Sequence, residues 1–512
     1  MNKKVVLLEY NYGFIWKNKN KLHFKGYIFY QDNLLTIDDL ESLLNTITSI
    51  NEFQIILKSF IGTFSFVFEN QDSLYAAVDP TRTFPLFYHA KNESIIITDN
   101  TYTSSFKDFK KNLETNQQVL GMRFVLGNKT SLLDVYQIQA GECISFNKYL
   151  KSKTYHNFSI SPDELHDEIE LLPHQFQNVL SNAIKRIIES VSGRTLVVPL
   201  SGGYDSRLVL SLLYKENYKN VICFTYGNND DEEVKISKKV AESLGYKWVL
   251  FETTKNYIPN RYLYSNEFEN FSKFSYNNVS MIHLQDYLFV KKIHDEKMIP
   301  DDAIFLPGHT GDVVAGNHLY DYDDTIITRS KYINQIIKRH FVLKEYTKNM
   351  AIEDVLKEYY DLNKLPHSLI DNFNVKERQA KFIVNSLRNY EFFGYEHRIV
   401  LWDQEVSNFL RNLPFKLKLN SNFYKTQIFN NYFNELKIDY IPKSKTNNLA
   451  FFMKKIKPYI PQVFINKLRS KSIRPENFSN FTYKNLLHEM NKELGVSFTN
   501  SSKLIAGWLI KK

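Results

Sequence analysis

The feature that most constrains this chain is an apolar run that two glycines interrupt and a helical pattern follows. The run Thr195–Leu200 is rich in β-branched residues, which predicts a buried strand. Glycines stand at positions 202 and 203, and apolar residues recur at helical spacing after Ser206. Glycine lets the backbone turn sharply and approach a ligand closely. Because the first turn of a helix presents N–H groups without helical partners, this arrangement predicts an anion site.

The residues of the turn distinguish between two kinds of phosphate loop. A P-loop ends in Gly-Lys-Ser/Thr, and this turn contains no lysine. Its sequence, SGGYDS, instead resembles the SGGxDS pyrophosphate loop of ATP pyrophosphatases, which cleave ATP between the α and β phosphates. The resemblance implies that the loop binds the pyrophosphate and that its aspartate binds Mg²⁺. The loop residues are Ser201, Gly202, Gly203, Asp205 and Ser206. An ordinary strand–glycine–helix turn is the alternative.

Composition indicates a folded chain without a disulfide framework. The chain has 512 residues, of which 43% are hydrophobic and 24% charged, so it can bury large cores in two to four domains. No apolar run approaches the ~20 residues of a membrane helix, and we expect a cytoplasmic location. The two cysteines, Cys143 and Cys223, exclude a disulfide framework and a cysteine-rich metal site.

The basic charge is concentrated in one stretch near the C-terminus. The net charge is +9, and Lys454–Arg474 holds seven basic residues and no acidic one. The rest of the chain is therefore close to neutral, and we expect no nucleic-acid partner. A solvated face is the simplest interpretation of the stretch, and contact with an anionic membrane surface or polyanion is the alternative.

The first ~165 residues predict a β-rich unit with one helix, Thr36–Thr48. Short runs bounded by turns predict strands at Val5–Tyr10, His23–Tyr30, Gly62–Glu69, Ser73–Val78, Leu86–His89, Ser94–Thr98 and Glu142–Asn147.

The order of these pieces resembles the glutaminase domain of class II amidotransferases, an αββα sandwich. Gly26–Tyr30 is similar to its Asn-Gly-Glu-Ile-Tyr strand, and Gly62–Tyr88 to its stretch ending in Asp-Arg-x-Gly-x-Lys-Pro-Leu-Tyr. That glutaminase needs a cysteine at the mature N-terminus, where this chain has Asn2. Lys25 and Tyr27 replace the asparagine and glutamate of the substrate strand. We therefore expect a retained structural domain without glutaminase activity.

Beyond a polar linker, Ile160–Leu171, strand and helix patterns alternate. This alternation predicts a doubly wound parallel sheet, whose ligands lie at the carboxyl ends of its strands. Ser201, Phe224–Gly227 and the residues after Ile304–Leu306 would fall on that rim, so Phe224, Gly227 and Gly308 are candidate nucleotide contacts. After about residue 317 the pattern is helical.

A glycine-rich loop follows the predicted strand Ile304–Leu306. Its sequence PGHTGDVVAGNH, Pro307–His318, resembles the second signature of the same family, Ser-Gly-x-Gly-x-Asp. The resemblance implies that Asp312 supplies the second carboxylate for Mg²⁺. His309 has two interpretations, a catalytic base or a loop hydrogen bond. Taken by itself, such a loop is usually a turn.

Two later stretches complete the resemblance. Gly394–Pro414 is similar to the family's Glu-x-Arg-x-Pro-Phe-Leu-Asp helix and keeps its first residue as Glu396, which in relatives lies beside the reacting amine. Ile441–Asn447 stands where the family has Arg-x-Lys. Lys445 takes the place of the lysine that faces the phosphates, with lysine also replacing the arginine.

Together these stretches resemble the asparagine synthetase-type proteins, which include β-lactam synthetases and lasso-peptide cyclases. The resemblance implies ATP and Mg²⁺ as cofactors and a two-step reaction. A carboxylate first forms an acyl-adenylate and pyrophosphate. Free ammonia, another amine, or ammonia from a separate glutaminase then displaces AMP. It also implies a degenerate amidotransferase domain at 1–165, a synthetase domain at 170–450 and a helical basic extension at 451–512.

Other functions remain open at this point. The carboxylate is aspartate, or a sugar uronate or another specialised acid of a surface-polysaccharide or secondary-metabolite pathway. A tRNA-modifying ATP pyrophosphatase shares SGGxDS, but near-neutral charge and the absence of paired cysteines weigh against it. A non-catalytic relative that binds nucleotide is the third alternative.

Overall fold

The structure is a computed structural model that combines two packed β-sheets near the N-terminus with a parallel sheet surrounded by helices. The mixed α/β fold class predicted from the sequence is confirmed. The residues described are 3–252, 257–319, 328–344, 346, 349–440, 482–495 and 498–512. The predictions for Lys445 and Lys454–Arg474 lie outside these residues, as does the side chain of Asp312.

Eleven strands of the described N-terminal part form the two sheets. A seven-stranded antiparallel sheet has the order β11-β10-β6-β5-β3-β2 with β4 beside β3, and a four-stranded sheet has the order β1-β8-β7-β9. The strands are β1 Lys4–Leu7, β2 Lys17–Lys19, β3 Leu22–Tyr30, β4 Asn33–Leu34, β5 Ile61–Asn70, β6 Ser73–Val78, β7 Phe87–Lys91, β8 Ser94–Thr98, β9 Tyr136–Gln137, β10 Glu142–Phe146 and β11 Leu150–Thr154.

Three helices accompany these strands: α1 Ile37–Leu44, α2 Ile50–Leu57 and α3 Leu113–Met122. The helix predicted from Thr36 begins there because Thr36 caps it. The Thr36 hydroxyl accepts from the Asp39 N–H at 3.2 Å, and the Asp39 carboxylate accepts from the Thr36 N–H at 3.0 Å. Helices α2 and α3 were not predicted, and short strands β2, β4, β9 and β11 were also missed.

Side-chain alternation along β5 builds two separate cores. Phe64, Phe66 and Phe68 face α1 and α2, whereas Val67 faces the four-stranded sheet, because successive side chains of a strand point to opposite faces. The outer face of the four-stranded sheet packs on Phe106 and on Val279 of the second half. The sandwich thus rests directly on the parallel-sheet region.

The second half is built on five parallel strands in the order β14-β13-β12-β15-β16. They are β12 Leu196–Pro199, β13 Val221–Gly227, β14 Lys247–Glu252, β15 Ile304–Phe305 and β16 Glu396–His397. The first three residues of β12 are fully buried, as expected for a central parallel strand covered on both faces.

Helices surround this sheet and continue beyond it. They are α4 Leu172–Val191, α5 Tyr204–Lys215, α6 Glu232–Ser243, α7 Asn266–Tyr276, α8 Leu284–Asp295, α9 Gly311–Val314, α10 Arg329–His340, α11 Met350–Glu358, α12 Pro366–Phe373, α13 Arg388–Phe392, α14 Gln404–Arg411, α15 Phe415–Lys418, α16 Asn422–Ile428, α17 Lys484–Leu494 and α18 Ser501–Lys511. Two π-helical segments, Asn374–Ile383 and Phe429–Asn434, interrupt the series. Within the described part of the chain, no helix has the length and hydrophobicity needed to cross a bilayer.

Candidate functional site

The turn between β12 and α5 is held in shape by its two serines. The Ser201 and Ser206 hydroxyls lie 3.0 Å apart, and the Ser206 Oγ accepts from the Ser201 N–H at 3.1 Å. The Gly203 N–H donates to the Ser201 Oγ at 3.1 Å, and α5 begins at the next residue. The N–H groups of the first turn of α5 lack helical partners, so this end of the helix favours an anion.

The glycine-rich loop after β15 packs against the same helix start. A Cβ at Gly308 would lie 2.3 Å from the Ser206 backbone nitrogen, so only glycine permits this contact. Two residues after Gly308, Thr310 has φ 60°, a backbone conformation that is strained for a β-branched residue. Such strain is concentrated at functional sites in proteins. The structure therefore brings together the two signatures that the sequence analysis singled out.

Asp205 lies where these two loops meet. Its Oδ1 accepts a hydrogen bond from the Tyr424 hydroxyl at 2.7 Å. A Cβ at Gly311 would lie 3.1 Å from the same Oδ1, so the backbone leading into Asp312 runs beside the Asp205 carboxylate. Carboxylates together with phosphate oxygens are the ligands that Mg²⁺ prefers, so the residues present fit this ion. No cluster of three or more His, Cys, Asp or Glu suited to a metal occurs among the residues described.

A cavity of about 530 Å³ opens above the two loops. Seven of the predicted residues lie in its wall: Ser201, Gly203, Asp205, Ser206, Phe224, Gly308 and His309. Gly202 and Gly227 are not among the residues that line the cavity. The Gly202 carbonyl accepts from Arg207, and Gly227 ends β13 at φ 154°.

His309 is a neutral imidazole whose tautomer follows from its partners. The Ser386 hydroxyl donates to the Ile383 carbonyl at 2.8 Å, so its oxygen can only accept from the His309 Nε2, which lies 2.8 Å away. The His309 Nε2 therefore carries the proton, and Nδ1 keeps its lone pair. Burial, with smaller contributions from His283 and His397, lowers the pKa of His309 to about 4. The ring is therefore neutral at neutral pH.

The structure does not bring Glu396 to this cavity. Glu396 pairs in register with Ile304, which pairs with Leu196 at the start of β12, whereas Ser201 follows the end of that strand. Ser201 comes five residues after Leu196, so the rise of a strand puts Ser201 and Glu396 about 16 Å apart along the strand direction. The Arg194 Nη1 donates to the Glu396 Oε1 at 2.8 Å, and the Arg398 Nη2 lies 2.9 Å from Oε2.

The surroundings of Glu396 are those of a structural ion pair. Burial acts to raise the pKa of Glu396, but the guanidinium groups of Arg398 and Arg194 together hold it below its usual range. The carboxylate is committed to two cations at the amino end of the sheet. The interpretation of Glu396 as the group beside the reacting amine is therefore corrected: its position is wrong for that role.

Several residues of the site were not among the candidate contacts, although Tyr226 lies in the predicted rim stretch Phe224–Gly227. Lys425 lines the cavity, and its Nζ donates to the Asn420 carbonyl at 3.0 Å and to the Asn317 Oδ1 at 3.3 Å. Tyr226, Asp286 and Tyr390 line another part of the wall. The sequence signal for Lys425 is the pair Tyr424-Lys425, which loosely matches a Lys-Arg stretch of the asparagine synthetase-type proteins.

Arg207, the residue after the motif, holds the loop to a distant part of the chain. Its Nη2 donates to the Gly202 carbonyl at 2.6 Å, and its Nη1 donates to the carbonyls of Ile438 and Tyr440 at 3.0 and 2.9 Å. Its guanidinium also lies 4.7 Å from the centre of the Phe433 ring. This arginine therefore fixes the turn from behind rather than lining the cavity.

One family model matches part of this chain. Residues 175–371 match the model of the asparagine synthase family, a stretch that runs from α4 to α12 and includes both loops. No curated protein is similar enough to count as a match. Solved structures are also similar to this chain, at low sequence identity. One is the glutamine phosphoribosylpyrophosphate amidotransferase from B. subtilis complexed with ADP and GMP, at 10% identity over 58% of this chain and 63% of that chain, with a TM-score of 0.19.

The second solved structure is described as the allosteric regulatory enzyme of purine biosynthesis. It is 9% identical over 64% of this chain and 60% of that chain, with a TM-score of 0.19. The alignments cover less than two thirds of either protein, and at these TM-scores they carry no argument about the fold or the site.

Proposed function

We propose that this chain is an ATP-dependent, AMP-forming carbon–nitrogen ligase, similar to asparagine synthase but without glutaminase activity of its own. The observation that carries the proposal is the SGGYDS turn, which joins a buried parallel strand to a helix and faces the 530 Å³ cavity. The family match over residues 175–371 supports it. We assign the synthetase to residues 170–450 and the region before it, 1–165, to a separate domain.

In the first step a substrate carboxylate attacks the α-phosphate of ATP, and pyrophosphate leaves. The turn binds the departing pyrophosphate through the first N–H groups of α5 and the Ser201 and Ser206 hydroxyls, which stabilise the charge that develops there. Lys425 adds a positive charge to the same wall. We also assign Lys445 to the phosphates, on the family resemblance alone.

Asp205 and Asp312 would hold Mg²⁺ beside the phosphates. The bound ion would supply charge neutralisation for the triphosphate. The Tyr424 hydroxyl keeps the Asp205 carboxylate in place through its hydrogen bond, so Tyr424 is a positioning residue.

In the second step an amine displaces AMP and an amide forms. The attacking nitrogen must lose a proton, and His309 is the base that the cavity offers, because its Nδ1 carries a lone pair. The conversion is balanced: a C–N bond forms, the acyl–phosphate C–O bond breaks, and the nitrogen's proton passes to the imidazole. His309 therefore takes the proton of the amine in place of Glu396.

The nitrogen comes from free ammonia, from another amine or from a separate glutaminase. The N-terminal sandwich has a buried lysine, Lys25, on the strand where the related glutaminases bind substrate, and its Nζ donates to the Tyr10 carbonyl at 2.7 Å. Both cysteines, Cys143 and Cys223, are buried. These features support a sandwich that serves as a scaffold.

The test is exchange of radioactive pyrophosphate into ATP by the pure protein, screened across carboxylic acids. We expect exchange that depends on one acid and, when an amine is added, AMP and pyrophosphate as the products. ADP as the nucleotide product with the true substrate would refute the proposal. Exchange with no acid and no amine present would also contradict an acyl-adenylate.

A further inference from the structure

A second cavity lies outside the proposed active site, where three parts of the chain meet. Its volume is about 290 Å³, and among the residues described none lines both this cavity and the loop cavity. One part of its wall comes from residues 101–132 of the sandwich region, another from the end of α7, and a third from the end of α18. Small-molecule sites in proteins occur preferentially at such seams between structural units.

Most buried hydroxyl groups of this wall are satisfied by neighbouring side chains. The Ser131 and Tyr276 hydroxyls lie 3.2 Å apart. The Thr101 hydroxyl donates to the Asn277 Oδ1 at 2.7 Å and accepts from the Asn278 Nδ2 at 2.9 Å. These groups keep the wall in shape and need no ligand, because each already has a hydrogen-bond partner.

The hydroxyl of Thr103 is different. Thr103 is 3% exposed and lines the cavity. It precedes the 3₁₀ turn Ser104–Phe106, but its side chain does not cap that turn and makes no other hydrogen bond within the described part of the chain. A buried hydroxyl that lacks a partner costs free energy, so this group calls for a partner from outside the chain. The Thr103 hydroxyl is therefore a hydrogen-bond donor available to a ligand.

The charged side chains of the wall are all cationic. Lys107, Lys111 and Lys512 line the cavity, and no aspartate or glutamate of the described residues does. Lys512 lies 3.2 Å from a Glu493 carboxylate oxygen, which satisfies its charge. The Lys111 Nζ makes only two long contacts, at 3.5 and 3.4 Å, with backbone carbonyls at the end of α18. Lys107 and Lys111 have no carboxylate partner in the part of the chain described, and their charges favour an anion in the cavity.

The rest of the wall is apolar and largely aromatic. It includes Tyr102, Phe106, Phe109, Leu132 and Leu509. The centres of the Phe106 and Phe109 rings lie 5.1 Å apart. Contacts between aromatic rings add to the free energy that burial of apolar surface contributes. This part of the wall suits the apolar body of a ligand rather than a hydrated ion.

The three features together select the class of ligand. A cation would meet the ammonium groups, and an inorganic anion would leave the aromatic wall without a contact. A neutral aromatic molecule would leave the ammonium groups without a counter-ion. An aromatic acid in its anionic form satisfies all three, because its ring packs on the aromatic wall while its acid oxygens pair with the lysines and accept from the Thr103 hydroxyl.

We propose that this cavity binds a small aromatic acid as its anion, with Thr103, Lys107 and Lys111 as the contacts of the acid group. The chemistry required of the ligand is a ring that carries a carboxylate or a phosphate. The loop cavity is separate, so the binding does not depend on the proposed ligase activity. A bound acid contacts the sandwich region, α7 and α18 at once, and it stabilises the folded chain because it binds only that state.

The test is calorimetric titration of the full chain with sodium benzoate and, separately, with sodium phenyl phosphate. We expect saturable binding of at least one of these anions, and the tighter of the two identifies the acid group. Benzylammonium chloride, which has the same ring with the opposite charge, should not bind. Absence of saturable binding by both anions would overturn the inference, as would benzylammonium binding of equal affinity.

Three variants locate the bound anion, and an adjacent lysine supplies the control. Thr103→Val keeps the shape of the side chain but removes the hydroxyl, and Lys107→Met and Lys111→Met remove one charge each. Each should weaken binding of the anion about fivefold. Lys110→Met changes an exposed lysine of the same loop that does not line the cavity, and it should bind as the wild type does. Wild-type affinity in all three cavity variants would overturn the inference.

The loop cavity is the other place where a carboxylic acid could bind, and two measurements distinguish it. We expect the affinity for benzoate to be unchanged in Asp205→Asn and unchanged in the presence of saturating ATP. Loss of benzoate binding in Asp205→Asn, with wild-type affinity in Thr103→Val, would place the acid in the loop cavity. The inference would then be wrong while the ligase proposal stands. If the wild type exchanges pyrophosphate with no acid present, the ligase proposal fails, and the benzoate titration still decides the inference.

Discussion

The sandwich and the loop cavity both bury polar groups, but Lys25 and Asp99 of the sandwich are satisfied by their neighbours, whereas several polar groups of the cavity face open space. In the sandwich, Lys25 is 3% exposed and donates to the Tyr10 carbonyl, with its Nζ 5.6 Å from the centre of the Trp16 ring. Asp99 accepts from the Glu9 and Tyr10 N–H groups and from the Trp16 indole. In the second half, Ser201, Asp205 and His309 instead line the 530 Å³ cavity.

The difference shows how a region can keep a fold after its polar groups have become part of the core. Burial lowers the pKa of Lys25 to about 8, and Glu391 and Asp99 oppose this shift. Lys25 and Asp99 are thus occupied by neighbouring residues, which favours rigidity. A site needs donors and acceptors whose partners come from a ligand, and the loop cavity offers them.

The largest expected effect is at the meeting point of the two loops. Asp205→Asn keeps the hydrogen bond from Tyr424 but removes the charge, and we expect pyrophosphate exchange to fall about 10³-fold. Asp354→Asn, which changes an exposed aspartate of α11, is the matched control and should exchange normally. Near wild-type exchange in Asp205→Asn would remove this carboxylate from the site.

The next effect separates the two steps of the reaction. His309→Gln can still donate to Ser386 but cannot accept a proton, so amide formation should fall about 10²-fold while exchange persists. The pH profile gives a second readout. Because the pKa of His309 is lowered to about 4, the amide step should stay flat through neutral pH and decline only as the pH approaches that value. Equal loss of both steps in a folded variant would contradict the assignment.

A smaller effect is expected at Glu396, and on stability rather than catalysis. Glu396→Gln weakens the contacts with Arg194 and Arg398 and should cost about 1 kcal/mol of unfolding free energy, measured by denaturant titration. The folded-state pKa of Glu396 is lowered, so its stabilisation is present above the unfolded pKa of about 4.3 and is lost as the pH falls through the folded value. Loss of amide formation without loss of stability would restore a catalytic role.

The smallest effect is expected in the sandwich. Cys143→Ser should leave amide formation unchanged, and neither protein should release glutamate from glutamine. Burial raises the pKa of Cys143 to about 12, and its Sγ faces the Lys153 carbonyl at 3.5 Å, so the thiol is not a nucleophile. Steady glutamate release by the pure protein would abolish the contrast between the two regions.

Local sequence patterns predicted the parts of the site that local structure determines. The turn at Ser201–Ser206 was predictable because strand, glycines and helix are contiguous in sequence. The position of Glu396 along the sheet was not predictable, because it depends on the pairing of β16 with β15, and these two strands are far apart in the chain. Asp286 was missed because a single acidic residue at the start of an amphipathic helix is usually a surface charge.

Other differences have similar physical causes. The π-helical segment Asn374–Ile383 depends on packing that a helical pattern does not encode. Tyr424 reaches Asp205 across more than two hundred residues of sequence, and no spacing rule relates the two.

The hydrogen bonds of Arg207 determine when the turn is complete during synthesis. Its Nη1 reaches Ile438 and Tyr440, which a ribosome adds roughly ten to fifty seconds after Arg207 at ordinary elongation rates. A nascent chain that ends earlier has the motif and the strand before it, but lacks the carbonyls that fix Arg207 behind Gly202. The turn therefore reaches its final form only when nearly all of the parallel-sheet region has left the ribosome.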